Sequence, residues 1–464
     1  MSRNKLSIAS KLMFPNNPTF SGRPVVPGRH FLFRRIVGLL LVACCISNAG
    51  AQLRVVVVEG NVRPVPVAVV PFAWQGTGPV PFDIAALVGT DLTNSGRFRA
   101  IPEENMLTRP TRPADVEFGD WRILNVDYVV IGQLSQAGAD RYEVAFQLFD
   151  IVRSQQLLGF RLSLSRADLR AGAHRIADMI YEEITGIPGI FSTQIAYINE
   201  TRDAAGTPTY RLIVADADGE NAQVVMESSL PLMSPTWSPD GRRLAYVSFE
   251  DNRSRIFVQT LRTGNRAVAS QREGINGAPA FSPDGRKLAL TLSRDGNLDV
   301  FTLDLTTQVL IQITRNAAVD TEPSWSEDGE YIYFTSDRAG RPQIYRVRAE
   351  AGQNAQRVTF EGTYNARPRL SPDGGTMAVV FLDRGNYRIA AVDPERGQLI
   401  GILSNGRLDE SPSFAPNGDT IIYATRQNGQ GVLATVSADG RIQREIAAIA
   451  GDIREPVWGP YTRP

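Results

Sequence analysis

Six stretches in the C-terminal half repeat one heptapeptide: Pro235-Thr-Trp-Ser-Pro-Asp-Gly241, Pro279-Ala-Phe-Ser-Pro-Asp-Gly285, Pro323-Ser-Trp-Ser-Glu-Asp-Gly329, Pro368-Arg-Leu-Ser-Pro-Asp-Gly374, Pro412-Ser-Phe-Ala-Pro-Asn-Gly418 and Pro456-Val-Trp-Gly-Pro-Tyr-Thr462. Their leading prolines are 44, 44, 45, 44 and 44 residues apart. Proline presets one turn dihedral, Asp or Asn bonds the local backbone, and Gly supplies positive φ. Each heptad therefore reads as the end of a strand running into a tight turn.

A period-two strand follows each of the first five turns: Arg243 to Ser248, Lys287 to Leu292, Tyr331 to Thr335, Met377 to Phe381 and Thr420 to Thr425. A third strand comes next, as at Arg255 to Leu261, Gln343 to Val347 and Tyr387 to Val392, and a shorter fourth ends the unit, as at Arg357 to Phe360. Four strands in about 44 residues is the size of one propeller blade. The ends of the array fit each other. Gln194 to Asn199 resembles a second strand with no heptad before it, and the Pro456 heptad has no strands after it. The last heptad thus supplies the innermost strand of the blade begun at Gln194, which gives six blades and leaves no open edge. In an up-and-down blade the residues preceding the six prolines, Ser234, Ala278, Glu322, Arg367, Ser411 and Glu455, circle one channel mouth. So varied a rim suits a protein or peptide partner.

Upstream, residues 52–188 lack the heptad and form a small α/β domain. Val65 to Phe72, Tyr128 to Leu134, Arg141 to Phe149 and Gln156 to Leu164 read as strands, and Phe82 to Asn94 as a helix ending at Gly96. A second helix starts at Ser165 in a capping-box-like arrangement with Asp168, carries the apolar stripe Leu169, Ala173, Ile176, Ile180 and Ile184, and stops at Gly186 and Pro188. The predicted architecture is a multidomain chain, this α/β domain followed by an all-β six-bladed propeller over 189–464 that the C-terminal strand closes. Between leader and domain lies Gln52, Leu53, Arg54, Val55, Val56, Val57, Val58, Glu59 and Gly60. Read alone, this apolar segment is an edge strand of the domain's sheet.

Residues 1–51 read as a secretory signal peptide. Arg34 and Arg35 precede the apolar run Ile36 to Ile46, too short to span a bilayer, and Ala49 and Ala51 form an A-x-A site with cleavage before Gln52. Cys44 offers a competing lipoprotein cleavage, and Met13 an alternative start. Both cysteines lie in this leader, and His174 is the single histidine beyond it. An exported, mature chain so composed has no disulfide, no Cys–His pair and no His cluster. Removing the leader's seven cationic residues leaves 42 cationic against 49 acidic side chains, a net −7 that disfavours nucleic acid as a partner.

Enzymatic chemistry has few footholds. Asp240, Asp284 and Asp328 could line a metal-dependent propeller hydrolase or lactonase, but each occupies a turn position where the backbone itself wants Asp. His174 lies beside an apolar helical stripe, where a lone histidine is structural. There is no phosphate loop and no Gly-x-Ser-x-Gly elbow. The residues predict no catalytic site, no cofactor and no resident metal.

Several blocks together resemble the TolB family, periplasmic propeller proteins of the Tol-Pal envelope system: Val69 to Phe72 (VVPF), Asp91 to Phe98 (DLTNSGRF), Leu232 to Gly241, Asn276 to Gly285, Thr321 to Trp325 and Thr335 to Val347. The resemblance implies a non-enzymatic periplasmic adaptor with envelope-protein partners, supporting outer-membrane integrity and constriction at cell division. It implies that the lipoprotein Pal docks on the propeller at Ala278, Thr321 and Glu322, and that TolA takes the Gln52 to Gly60 segment, reversing the edge-strand reading. Ile275 departs from the family pattern at a position that histidine can fill.

Overall fold

The computed structural model describes residues 63–446 and 451–461. The leader and the Gln52 to Gly60 segment lie outside the described residues.

The N-terminal sheet consists of β1 (Val65–Val69), β2 (Ala73–Gln75), β3 (Phe98–Ala100), β4 (Tyr128–Gln136), β5 (Arg141–Asp150) and β6 (Gln155–Ser165). Its order is β3-β1-β4-β5-β6, with β2 also on β4; β1 runs parallel to β3 and β4, whereas β4, β5 and β6 are antiparallel. The stretch 65–72, read as one strand, is cut short at Pro71, which has no N–H for the ladder, and the chain rejoins β4 as β2. Helix α1 (Ile84–Asn94) is capped by Asp83, whose carboxylate accepts the Ala86 N–H at 2.9 Å. Helix α2 (Phe118–Ile123) and strand β3 carry too little periodicity to be legible in sequence.

Helix α3 (Leu169–Thr185) starts four residues later than its capping signal suggests. Ser165 instead completes β6 opposite Arg141, and its hydroxyl donates to Asp168 at 2.5 Å. The helix ends at Gly186, whose φ of 71° fits the left-handed cap. Leu169, Ala173, Ile176 and Ile180 bury their stripe against Val67, Val130, Val144 and Phe146 of the sheet, while Trp121 and Phe149 fill the opposite face.

The remainder is a propeller of six four-stranded antiparallel sheets. Five run in sequence, over 232–270, 276–312, 320–357, 365–402 and 410–445. The sixth joins Asp452–Trp458, as its inner strand, to β7 (Gln194–Arg202), β8 (Pro208–Asp216) and β9 (Gln223–Ser228). The register Asp452↔Glu200, Ile453↔Asn199 and Trp458↔Ile195 closes the ring as the orphan heptad predicted. Outer strands are shorter than the pattern suggested. Gln356–Arg357 pairs for two residues before the Val358 and Thr359 amides both turn to the Ile344 carbonyl, and so short an edge resists pairing with other chains.

Heptad aromatics tie blade to blade. Trp325 Nε1 donates to the Ala280 carbonyl of the preceding inner strand at 3.1 Å, and Trp237 Nε1 to Val457 at 3.3 Å across the closure. Trp458 Nε1 reaches Thr193 Oγ1 at 2.8 Å, and its backbone N–H donates to Ser413 Oγ at 3.0 Å. Deleting residues 456–464 removes these anchors and bares the inner edge of β7. Differential scanning calorimetry should then show a broadened transition with Tm lower by roughly 10 °C or more.

Candidate functional site

The heptad aspartates are consumed by their own turns. The Ser282 hydroxyl donates to Asp284 Oδ1 at 2.6 Å, the Arg286 N–H donates to the same oxygen at 3.0 Å, and Lys287 N–H returns to Ser282 Oγ at 2.9 Å. Asp240, Asp328 and Asp373 repeat the pattern with Ser238, Ser326 and Ser371. The serine hydroxyls and following backbone amides hold the carboxyls of Asp284, Asp328 and Asp373 below the usual range. These groups are turn-builders facing away from the channel chemistry considered for them.

The functional geometry lies inside the ring. Every inner strand carries a β-bulge at its x-Pro pair, for instance between Met233 and Thr236, between Thr321 and Ser324, and between Arg454 and Val457. Proline cannot donate to a ladder and is tolerated in a strand only where pairing is interrupted. The residue before it is excluded from the right-handed helical region. Ser234, Ala278, Glu322, Arg367, Ser411 and Glu455 all adopt positive φ, between 45° and 56°. They sit within the inner strands, not in the loops before them, and the bulge turns all six into one cavity of about 50 Å³ on the channel axis.

The cavity's charges are paired across blades. Arg367 Nε donates to Glu322 Oε1 at 2.7 Å, and its other guanidinium nitrogens face Ser411 Oγ and, at 3.8 Å, Glu455 Oε1. Glu322 Oε2 accepts from Thr335 Oγ1 at 3.0 Å and from the Arg367 backbone N–H at 3.2 Å. Glu455 accepts the Ser234 backbone N–H. Burial alone would weaken the Arg367 proton, but Glu322, Glu455 and Glu410 outweigh it and raise its pKa. Arg369, whose Nη1 donates to the Pro368 carbonyl at 2.8 Å, is shifted the other way by burial and by Arg367. Burial raises Glu410 as well, against the pull of Arg367. The result is an ionic network that crosses between blades around the cavity.

Residues 53–157 match the TolB amino-terminal domain family, and residues 181–462 match the TolB beta propeller domain family. The chain belongs to the TolB family. It is 52% identical over 411 residues to Tol-Pal system protein TolB of Xanthomonas oryzae pv. oryzae, covering 88% of this chain and 93% of that one, and equally so to its counterpart in Xanthomonas axonopodis pv. citri. A solved TolB from Acinetobacter baumannii is 39% identical, with a TM-score of 0.79 over 86% of this chain and 97% of that one. This TolB-family chain therefore shares both domains with its relatives.

Ala278 and Glu322 line the channel cavity of this TolB-family propeller, and Thr321 precedes Glu322 with its hydroxyl 3.4 Å from Thr291 Oγ1. The three are neighbours on adjacent inner strands. Ile275 starts the same region, its N–H donating to Ser293 Oγ at 2.7 Å. What sequence reasoning missed is that Glu322 is the partner of Arg367, 45 residues away; the constant blade period was the available signal, because it superposes the two positions.

A second polar cluster joins the domains. His174 on α3, 2% exposed, lies with Nδ1 2.7 Å from Asp91 Oδ2 on α1, and Arg170 Nε donates to Asp216 Oδ2 at 2.9 Å while its Nη2 meets Asp218 at the turn after β8. Atoms of Asp91, His174 and Asp218 come within 4.8 Å of one another; Arg170 engages Asp218 Oδ2, and Asp91 Oδ2 is engaged by His174 Nδ1. The histidine is buried between the two domains; burial opposes its protonation, but the bond to Asp91 and the charges of Asp91 and Asp218 outweigh it and raise its pKa.

Arg367→Met should leave Glu322 and Glu455 uncompensated inside the ring and cost roughly 3 kcal/mol, the low end for breaking a buried pair. Chemical denaturation should record that loss at pH 7.5. The deficit should shrink as pH falls, because burial already raises Glu410 and its protonation removes one of the anions left without Arg367.

Proposed function

We propose that this chain is a non-enzymatic periplasmic adaptor of the Tol-Pal envelope system. In this reading residues 1–51 are a removed leader, 52–188 form the N-terminal domain with a TolA-binding segment at Gln52 to Gly60, and 189–464 form the propeller. Pal binds the propeller near Ala278, Thr321 and Glu322, and the pair of contacts supports outer-membrane integrity and constriction at division. The carrying observation is the match to TolB relatives across both domains, 52% identical over 88% of the chain. The channel adds support: its charged groups are engaged with one another, which suits a shaped docking face better than a hydrolytic centre. Among the described residues no helix is long and apolar enough to cross a membrane.

Docking would use the face on which the bulged inner strands begin. The opposite face is occupied by the N-terminal domain, since Arg97 holds Asp419 through both carboxylate oxygens at 2.8 Å, and Asn417 Nδ2 donates to the Pro188 carbonyl at 3.1 Å in a heptad turn.

Calorimetric titration of the chain from Gln52 onward with soluble Pal tests the reading. A saturable complex is expected, weakened at least tenfold by Thr321→Arg with Tm unchanged. Glu322→Arg is the poorer probe, because it sets a third cation beside Arg367 and Arg369 and destabilises the ring itself. Absence of binding by folded wild type would refute the Pal assignment, and metal-dependent turnover of lactones or peptides would refute the non-enzymatic one.

A further inference from the structure

We propose that His174 is a proton-operated latch between the N-terminal domain and the closing blade, fastening the two at mildly acidic pH and releasing them as pH rises above neutrality. The geometry supplies both halves. Nδ1 is engaged within its own domain by Asp91, while Nε2 has no hydrogen-bond partner and points at the blade, 3.9 Å from Asp216 Oδ2 and 3.9 Å from Asp218 Oδ2. At that range no direct hydrogen bond forms, so the attraction is between charges and depends on the imidazole's being an imidazolium.

Charge counting around the ring gives the switch its size. The groups facing it are Asp91 from α1, Asp216 and Asp218 from the closing blade, and Arg170 one turn earlier on α3. With His174 neutral, three carboxylates confront one guanidinium. With His174 charged, two cations face three anions, and the added one lies between the domains. Burial disfavours the charged ring, but the bond to Asp91 and the fields of Asp91 and Asp218 prevail and hold its proton above the ordinary value of 6.5.

A basic group shifted upward contributes stability that is complete below its unfolded value and is lost as pH climbs through the folded one. Asp178, one turn further along α3, acts in the same direction. Its carboxylate accepts the Phe191 N–H at 2.7 Å and the Ser192 N–H at 3.1 Å at the entry to the propeller, and burial nevertheless pushes it up to about 6. An acid shifted upward by burial favours the folded form as pH falls, although the two N–H bonds themselves favour the carboxylate. The Asp178 titration falls within the pH range in which histidine switches operate, and the His174 titration is raised from the ordinary histidine value.

The chain has no cysteine beyond residue 51, so two can be introduced for labelling. Ile123, 72% exposed on α2, and Phe360, 65% exposed on the propeller, provide one site per domain. Spin-label distance distributions of the chain from Gln52 onward, measured with EDTA present at pH 5.5, 7 and 8.5, should be narrow at the acidic end and broaden at the basic end. His174→Asn, which keeps a polar partner for Asp91 but cannot be charged, should be broad throughout. Asp218→Asn should move the midpoint down by roughly half a unit or more. A wild-type distribution independent of pH overturns the latch, as does a His174→Asn profile that still follows the wild-type midpoint. Narrowing at pH 8.5 by Zn2+ alone, lost in His174→Asn, would assign the same atoms to a metal and overturn the proton.

Discussion

The ring exists because the propeller's last strand pairs with its first. Asp452–Trp458 meets β7 across some 250 residues of intervening sequence, and only that contact removes the two free edges an open array of blades would keep. Such a pairing costs more closure entropy than the local hairpins of the five sequential blades. The anchors are correspondingly specific. Trp458 is held by Ser413 on one side of the closure and by Thr193 on the other, and the Gly459 N–H continues the ladder to the Gln194 carbonyl at 2.8 Å.

The N-terminal domain straddles this same seam. Arg97 grips Asp419 in the last sequential blade, whereas Arg170 grips Asp216 and Asp218 in the closing blade. The domain thus bridges the two blades that closure must hold together, and its ion pairs add to a joint made by the closing strand and by hydrophobic packing between the blades. The hydrophobic clusters of the propeller lie between adjacent blades, and the one at the seam packs Ile195, Tyr197 and Ile213 of the closing blade against Ala415, Ile422 and Leu433 of its neighbour. The channel, at the opposite face, depends on the same ring being shut, since Glu455 from the closing strand accepts the Ser234 N–H and faces Arg367.

The propeller was readable because its signals are local. In the first four heptads Ser and Asp at fixed offsets make the same hydrogen bond in turn after turn, and period-two strands follow directly. The N-terminal domain was read less completely for the converse reason. β3 and α2 are three and six residues long and are fixed by neighbours rather than by their own pattern, and β6 overran a capping signal because Ser165 had a ladder partner in Arg141. The candidate site was half legible. The residues before the prolines could be grouped from the repeat alone, but the reading placed them at a rim, whereas the bulge at each proline carries them into the channel wall.

By itself the sequence determined the number of blades, the turn at each heptad, the shared position of the six channel residues and the strand that closes the ring. Each of these follows from backbone chemistry repeated at a constant spacing. Tertiary structure alone decided which charges meet. Glu322 finds Arg367 one blade away, and His174 finds Asp91 at a separation of 83 residues and two further carboxylates in another domain. Ionic partners have no period in the sequence, and their strength depends on burial that exists only once the ring is closed and the N-terminal domain is seated on its seam.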